Sequence, residues 1–448
     1  MTDLRHEVVG SDDLVPTLSG RMVRYVNLDN AATAPAMRAA IAAVEEALTH
    51  YGSVHRGAGH HSRRSTEAYE TARLEIGRFL GADPIRDTVL FTKNTTEAIN
   101  KLARSMPIAD GDVVVTTELE HHSNDLPWRA RAATIHAGVL ADGLLDLGDI
   151  DEILTRHAGR VALLAVSGAS NVTGVVPPIH DLARRVHRAG GRILVDAAQL
   201  APHRRIDMRP HDDPGHLDFV ALSAHKLYAP FGSGALVGCR DAFGSAPDHA
   251  GGGTVQAVTL DEIAWAGLPD REEAGTPNLL GAVAFAAAAR RLTEIGFDDI
   301  AAHERDRLAR LVEGLRRIDG VTVHGPRDRD ATIGVVPFTV AGVPHGLVAA
   351  VLGFEHGIAV RSGCFCAHPY MARLLGLDRA DVERWMQRVR HGDKRDAPGM
   401  VRASLGLHNT DDDIDRLVGA VEHIAAGHIT GEYHGDDHGE YRPLRGAA

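Results

Sequence analysis

The sequence predicts an α/β fold built on a mostly parallel sheet, and the main observation is a regular alternation of two kinds of segment. From about residue 35 to residue 285, short apolar runs typical of strands alternate with amphipathic segments typical of helices. Such a βαβ rhythm indicates a parallel sheet covered by helices on both faces. The clearest predicted strands are residues 112–116, 161–167, 192–196 and 218–223, and the clearest predicted helices are residues 96–104 and 179–189.

A second, smaller domain of the α+β type is predicted after the large one. Residues 282–317 are rich in Ala, Arg and Leu at helical spacing, and short predicted strands follow at 321–324, 332–338 and 359–361. We therefore predict a large domain over residues 35–285 and a small domain made of residues 1–34 and 286–448. The tail from about residue 428 is polar, with scattered His, Asp and Glu, so we expect it to be flexible; a metal site there is the alternative.

Composition excludes several classes of function. The formal net charge is -12, and the basic residues form no stripe or tail, so nucleic acid is not an expected partner. No apolar run approaches the roughly 20 residues that cross a bilayer. The polar, acidic N-terminus is unlike a signal peptide, and three cysteines are too few for a disulfide framework. We expect a cytoplasmic protein with no membrane contact, and Cys239 is expected to pack in the core.

Two predicted strand ends carry residues suited to chemistry. Asp196 ends one strand, with Gln199 just beyond it, and Ser223, His225 and Lys226 end the next. Ligands of open α/β sheets bind outside the carboxyl ends of the strands, so both groups are expected to face one crevice. An acid and a lysine there suit pyridoxal phosphate, because the lysine forms the imine and the acid keeps the pyridine nitrogen protonated. The alternative is that these residues only end strands.

Two further segments fit the same cofactor. Asn94, Thr95 and Thr96 open a predicted helix, and hydroxyls at a helix N-terminus suit a phosphate, although Asn and Thr are also ordinary caps. His121, after another predicted strand, is a candidate to stack on a flat ring and to carry protons. A metal site with His122 is the alternative, but adjacent residues project differently and the sequence offers no evident third ligand. We predict no metal.

Nine motifs, in order along nearly the whole chain, resemble those of class V aminotransferase-fold enzymes, most closely the SUF-type cysteine desulfurases and selenocysteine lyases. The motifs are NLDNAATAP, SVHRGAGHHS, NTTEAIN, EHHSNDLPW, SNVTGVVPP, VDAAQLAPHRRID, LSAHKLYAPFGSGAL, EAGTPN and RASLGLHNT. The resemblance implies a fold type I transferase that uses pyridoxal 5'-phosphate and forms a homodimer. It also implies a small amino acid as the substrate and a sulfur acceptor, for which a protein is one candidate. Other class V reactions stay open: C–S lysis of another amino acid, epimerisation of the isopenicillin-N type and transamination. A scaffold that has lost catalysis is the non-enzyme alternative.

The resemblance also implies a role for each matching residue. Lys226 would hold the cofactor as a Schiff base, Asp196 would pair with the ring nitrogen, Gln199 with the phenolic oxygen, and His121 would stack on the ring. The phosphate-binding residues implied are Thr95, Thr96, Ser223, His225 and, from the neighbouring subunit, Thr276. The substrate carboxylate would be bound by Asn171 and Arg402, with Arg361 close by, since a guanidinium matches a carboxylate bidentately.

The segment RSGCFCAHP, residues 361–369, places Cys366 at the position of the nucleophile that takes sulfur from the substrate in these enzymes. Such a thiol must be exposed and partly ionised. Cys364 departs from the family pattern, and it is interpreted either as a small apolar residue or as a resolving thiol. A charged insert between Pro369 and Arg402 is a second departure, and we expect it to form an exposed helix near the site entrance.

Overall fold

The computed structural model describes residues 4–244, 246–395 and 397–444. The α-helices in these ranges are α1 Arg38–Thr49, α2 His60–Leu80, α3 Thr95–Ser105, α4 Leu126–Arg129, α5 Leu147–Arg156, α6 Ile179–Arg188, α7 Leu279–Ile295, α8 Phe297–Arg316, α9 His345–His356, α10 His368–Leu374, α11 Arg379–Arg390 and α12 Asp411–Ala425.

The strands in the same ranges are β1 Leu14–Pro16, β2 Met22–Arg24, β3 Val26–Asn27, β4 Asp87–Thr92, β5 Val113–Thr117, β6 Ala133–Ala137, β7 Val161–Ser167, β8 Arg192–Asp196, β9 Phe219–Ser223, β10 Gly234–Cys239, β11 Val255–Val258, β12 Ile263–Trp265, β13 Val321–Val323, β14 Val335–Val340, β15 Ile358–Ala359, β16 Arg361–Gly363, β17 Met400–Ser404, β18 Tyr433–Gly435 and β19 Tyr441–Pro443.

Seven of these strands form the large sheet, in the order β4-β10-β9-β8-β7-β5-β6. The pairs from β9 to β6 are all parallel, and β10 runs antiparallel to both of its neighbours. The central strands β7, β8 and β9 are buried on both faces, which explains why they are nearly continuously apolar, whereas the edge strand β6 is partly exposed. In β9, Val220 and Leu222 pack into one core, whereas Phe219 and Ala221 pack into the core on the opposite face.

The predicted fold class is confirmed. The predicted strands 161–167 and 192–196 coincide with β7 and β8. The predicted strand 112–116 is shifted by one residue from β5, and the strand 218–223 begins one residue before β9. Since β5, β7, β8 and β9 are parallel, their carboxyl ends meet at one edge of the sheet. The segments that follow these ends carry the residues singled out from the sequence.

The second domain differs in detail from its prediction. The single helical stretch expected over residues 282–317 is two helices, α7 and α8, because Gly296 between them adopts a φ of 95° that side chains disfavour. The small sheet, β13-β14-β17-β16, is antiparallel and packs with α8, α9 and α12 around its own core. β3 pairs with β15, so the chain near residue 26 joins the C-terminal part. The domain boundaries themselves stay a prediction.

The C-terminal tail contains a hairpin that its composition did not indicate. β18 and β19 form an antiparallel hairpin over residues 433–443, and the hydroxyl of Tyr433 donates a hydrogen bond of 3.0 Å to Glu355 on α9. Tyr441 lies against Gly346 on the same helix. These aromatic contacts attach the hairpin to the small domain, and the flexibility expected of the tail stays a prediction. Among the described residues, no helix combines the length and the apolar character that crossing a bilayer requires.

Candidate active site

A cavity of about 320 Å³ opens at the carboxyl edge of the large sheet. It is lined by all the candidate site residues except Thr276, namely Thr95, Thr96, His121, Asn171, Asp196, Gln199, Ser223, His225, Lys226, Arg361, Cys366 and Arg402. These residues come from seven separate stretches of the chain. The strand ends of the large sheet bring together the first five stretches, and Arg361, Cys366 and Arg402 are added by β16, the loop after it and β17. Their individual roles stay predictions.

Lys226 and Asp196 both line this cavity, and the pKa values of both side chains are shifted. Asp196 ends β8, and Lys226 lies just after the end of the neighbouring β9. Burial lowers the pKa of the Lys226 amine to about 8, with Arg402 adding to the effect and Asp196 opposing it. Burial raises the pKa of the Asp196 carboxyl, although its Oδ1 accepts a hydrogen bond of 3.0 Å from the Ala198 amide. A substantial fraction of the amine is therefore neutral and nucleophilic near pH 8.

His121 is held in one tautomer. Its Nδ1 accepts a hydrogen bond of 3.1 Å from the Ser123 amide, so the neutral ring carries its proton on Nε2. Burial, with the charge of Lys226 adding to its effect, lowers the pKa of His121 to about 3. The ring is therefore an uncharged group at neutral pH, as stacking on an aromatic cofactor requires.

Glu120, which the sequence analysis did not single out, supports the His121 segment from below. Its carboxyl accepts hydrogen bonds from Thr117 at 2.7 Å, from Asn124 at 2.6 Å and from the hydroxyl and amide of Ser167 at 2.7 and 3.1 Å. Burial raises the pKa of Glu120 to about 7. This network ties the end of β5 to the end of β7. Ser167 lies 47 residues from Glu120 in the sequence, so no local pattern indicated this contact.

Hydroxyl and amide groups gather at the start of α3. The Thr95 amide donates to Ser223 Oγ at 2.9 Å, and that hydroxyl donates to Thr95 Oγ1 at 2.8 Å. Thr96 Oγ1 lies 2.7 Å from Ser123 Oγ. Gly234 permits this arrangement, because a Cβ there would lie 2.7 Å from the Asn94 Cα and 2.5 Å from the Leu222 carbonyl. A helix N-terminus with four hydroxyls beside it is a suitable phosphate site.

Gln199 and His225, two further candidate cofactor-binding residues, both contact the N-terminal part of the chain. Gln199 Nε2 donates to the carbonyl of Ala31 at 2.6 Å, which fixes its amide beside Asp196. His225 Nδ1 lies 3.2 Å from Thr33 Oγ1. Both partners belong to the motif NLDNAATAP, so this N-terminal motif forms one wall of the cavity.

The two candidate arginines share an acid that the sequence analysis did not assign. Arg402 Nη2 donates to Asp29 Oδ1 at 3.1 Å, and Arg361 Nη2 lies 2.7 Å from Asp29 Oδ2. Arg402 Nη1 also donates to the Asn171 carbonyl at 3.0 Å. Arg402 is buried, and this burial lowers its pKa to about 10. A substrate carboxylate must therefore bind beside Asp29 or take over part of its pairing.

The Cys366 loop is fixed at both sides of its turn. Phe365 and Cys366 both adopt positive φ, 53° and 54°, a conformation that costs about 1–2 kcal/mol for each residue with a side chain. The Phe365 carbonyl accepts a 2.6 Å hydrogen bond from Asn171, and the Cys366 carbonyl accepts one of 2.8 Å from the His122 amide. These contacts hold an exposed Cys366 thiol at the edge of the cavity that Lys226 also lines.

Cys364 has different surroundings from Cys366. Its thiol is half-buried and donates to the Pro398 carbonyl at 3.1 Å. Burial raises the pKa of this thiol to about 12, which leaves it protonated. This environment favours the interpretation of Cys364 as a small packing residue.

The charged insert forms the exposed helix expected from its sequence. This helix is α11, which has no buried residue and begins with a capping box between Asp378 and Asp381. Trp385 is its inward anchor, with a ring centroid 5.0 Å from that of His368, which in turn stacks edge-on with His122. The insert thus packs next to the segment that bears Cys366.

Thr276 lies outside the main cavity. It is exposed and lines a second cavity, which shares Asn94 and Thr96 with the first. Within a single chain, Thr276 is therefore separate from the other candidate phosphate-binding residues. This separation agrees with its implied role, which is to bind the phosphate of a neighbouring subunit.

The residues of this cavity fit pyridoxal phosphate. The hydroxyl-rich start of α3 matches the phosphate, and the buried Asp196, whose pKa is raised, gains stability from a cationic ring nitrogen beside it. Lys226, with its lowered pKa, matches the aldehyde. No group of this donor set conflicts with that cofactor.

Comparison with known proteins agrees with this geometry. The family described as Aminotransferase class-V matches residues 26–417. A probable cysteine desulfurase 2 from Mycobacterium leprae is 37% identical over 414 residues, which cover 90% of this chain and 91% of the relative. A cysteine desulfurase from Cronobacter sakazakii is 34% identical, covering 92% of this chain and 95% of that protein.

Solved structures show the same relationship. The apo structure of a cysteine desulfurase from Thermococcus onnurineus superposes with a TM-score of 0.79 at 32% identity, covering 90% of this chain and 95% of that one. A cysteine desulfurase from Escherichia coli gives a TM-score of 0.77 at 29% identity, covering 95% and 98% of the two chains. The family match spans most of the sequence, and the fold and the site residues agree with it. The chain belongs to the class V aminotransferase family.

Proposed function

We propose that the protein is a pyridoxal-phosphate-dependent cysteine desulfurase, which converts L-cysteine to alanine and retains the sulfur as a persulfide on Cys366; selenocysteine is the variant substrate. The observation that carries this proposal is that an exposed thiol, Cys366, and an amine of lowered pKa, Lys226, line the same cavity. Relatives named as cysteine desulfurases support it, since they match at 34–37% identity along nearly their whole length.

The cofactor would be held by Lys226, Asp196, Gln199, His121, His225 and the hydroxyls at the start of α3, and when bound it supplies an electron sink for bonds to the substrate Cα and Cβ. The chain itself orients the substrate. Arg402, with Asn171 behind it and Arg361 beside it, offers the positive charge for the carboxylate. That contact aims the substrate side chain toward the Cys366 loop.

Two groups of the cavity would have separate tasks, proton transfer for Lys226 and ring stacking for His121. The Lys226 amine, once free of the cofactor, is partly neutral near pH 8 and accepts a proton from the substrate. His121 is neutral, with its proton on Nε2, and it presents an uncharged face to the ring. Glu120 acts on neither atom directly; it is a positioning residue for the His121 segment.

Sulfur transfer would use the Cys366 thiolate. Its Sγ attacks the substrate sulfur, so an S–S bond forms while the substrate C–S bond breaks. The electron pair of the broken bond stays with the substrate carbon, which takes up a proton to give alanine. The positive φ of Cys366 and the hydrogen bond from the His122 amide hold this residue at the cavity edge, where a thiol acceptor or an acceptor protein has access.

We also propose a homodimer in which Thr276 reaches the phosphate site of the neighbouring subunit. Thr276 is exposed and lines a cavity that touches the start of α3 from outside, which supports this arrangement. Light scattering of the holoenzyme should give twice the mass of one chain, and Thr276→Ala should weaken cofactor retention during dialysis. A monomer that retains cofactor equally well with either residue contradicts the proposal.

The lowered pKa of Lys226 predicts how cofactor binding depends on pH. Below about pH 8 the amine is mostly protonated and does not attack an aldehyde, whereas above it the amine is neutral. The rate at which the apoprotein takes up pyridoxal phosphate should therefore rise with pH, with a midpoint near 8. Lys226→Ala should form no covalent adduct, and exposed Lys93→Ala, the control, should behave as wild type. A midpoint near 10.5, the ordinary value for lysine, contradicts the account.

Cys366 should be required for alanine formation, whereas Cys364 should not. Cys366→Ser should lower the rate of alanine formation from cysteine by more than about 100-fold, because the nucleophile is lost while cofactor absorbance is kept. Cys364→Ser is the matched control and should keep both, since its thiol packs against Pro398 and stays protonated. Alanine, sulfide and protein persulfide are assayed together. Unchanged alanine formation in Cys366→Ser excludes the desulfurase mechanism and favours another class V reaction.

A further inference from the structure

Four metal-ligating side chains meet at the end of the large sheet opposite to the candidate active site. Asp87 begins β4 and Cys239 ends β10, and the two residues are paired in the sheet register. His211 and His216 lie in the segment between β8 and β9. One ligand atom of each residue lies within 4.8 Å of the ligand atoms of the other three. No local sequence pattern indicates this cluster, because its members are spread over more than 150 residues.

The distances within the cluster are close to those of a tetrahedral metal site. Asp87 Oδ1 lies 3.0 Å from His211 Nε2, and Cys239 Sγ lies 4.0 Å from His216 Nε2. The two imidazole centroids are 4.0 Å apart. With zinc bonds of about 2.0–2.3 Å, tetrahedral ligand atoms lie about 3.3–3.6 Å apart. Since all four ligand atoms lie within 4.8 Å of one another, no pair needs to change its separation by more than about 1.5 Å.

The cluster is also enclosed. Asp87, His216 and Cys239 have relative exposures of 4, 3 and 7%, and His211 is half-buried. Four polar or ionisable side chains from three segments meet in this enclosed place, where such groups need strong partners. A thiolate and a carboxylate together balance the charge of a divalent cation, and two neutral imidazoles complete a set of N, O and S ligands that suits Zn²⁺.

Outer contacts orient the ligand atoms. His216 Nδ1 donates a hydrogen bond of 2.8 Å to the Arg209 carbonyl, which leaves the lone pair of Nε2 directed to the cluster. Asp87 Oδ2 accepts a hydrogen bond of 2.8 Å from the Asp83 amide, which leaves Oδ1 for His211 or a metal. Hydrogen bonds of this kind to the far atom of a ligand are typical of metal sites.

We propose that Asp87, His211, His216 and Cys239 bind one structural Zn²⁺ ion. Four protein ligands close the coordination sphere, so the ion has no open position for a substrate. It joins the loop before β9 to the adjoining ends of β4 and β10. It is separate from the cofactor cavity, and it stands whether or not the proposed desulfurase activity is correct.

The first test measures the zinc content of the purified full-length chain after dialysis, by inductively coupled plasma mass spectrometry. The wild type should hold about one zinc per chain, and Cys239→Ser and His211→Gln should lose most of it. Cys364→Ser and Cys366→Ser are matched controls and should retain it. Zinc that is lost in Cys366→Ser but kept in Cys239→Ser overturns the proposal, because the metal then lies at the active-site loop.

The second test uses only wild-type protein, so it holds even where a variant fails to fold. Metal-depleted chain is titrated with zinc against a chromophoric chelator, and a dissociation constant of about 50 nM or tighter is expected for a structural site. Replacement by Co²⁺ should give the intense visible d–d bands of tetrahedral coordination with one thiolate. Micromolar or weaker binding, or the weak bands of octahedral cobalt, overturns the proposal.

Discussion

The chemistry of this protein depends on one electrostatic constraint: a half-buried lysine, Lys226, and a buried acid, Asp196, line one cavity at the edge of a parallel sheet. Lys226 and Asp196 follow adjacent strands, β9 and β8, so the fold fixes their separation without help from flexible loops. Burial acts on the two groups in opposite directions, lowering the pKa of the amine and raising that of the carboxyl. A neutral Lys226 amine would react with the aldehyde of the cofactor, and the Asp196 carboxyl would be stabilised as an anion by the protonated ring nitrogen.

Around that pair, the other elements act as supports. Hydrogen bonds from Ser167 and Asn124 to Glu120 join the ends of β5 and β7 beneath His121. Asn171 connects the guanidinium of Arg402 with the carbonyl of Phe365, so the candidate carboxylate site and the cysteine loop are mechanically linked. Two consecutive residues of positive φ in that loop are held by these contacts, which outweigh their local strain.

The fold class and most of the candidate site were predictable from the sequence because both depend on local signals. An apolar run that ends in a polar residue such as Asp196 or Ser223 indicates the end of a strand. The carboxyl ends of parallel strands meet at one edge of the sheet. Asp29 and Glu120 were not assigned roles, although both lie in quoted motifs, since their importance comes from partners far along the chain. The hairpin at residues 433–443 and the cluster around Cys239 were missed for the same reason: tertiary contacts decide them.

The most direct measurement of the central claim identifies the residue bonded to the cofactor. The holoenzyme is reduced with borohydride to fix the lysine–cofactor link, digested, and mapped by mass spectrometry. The account predicts a single modified peptide with the added mass on Lys226. A modification on Lys93, Lys101 or Lys394 instead, or cofactor that washes away unreduced, contradicts it.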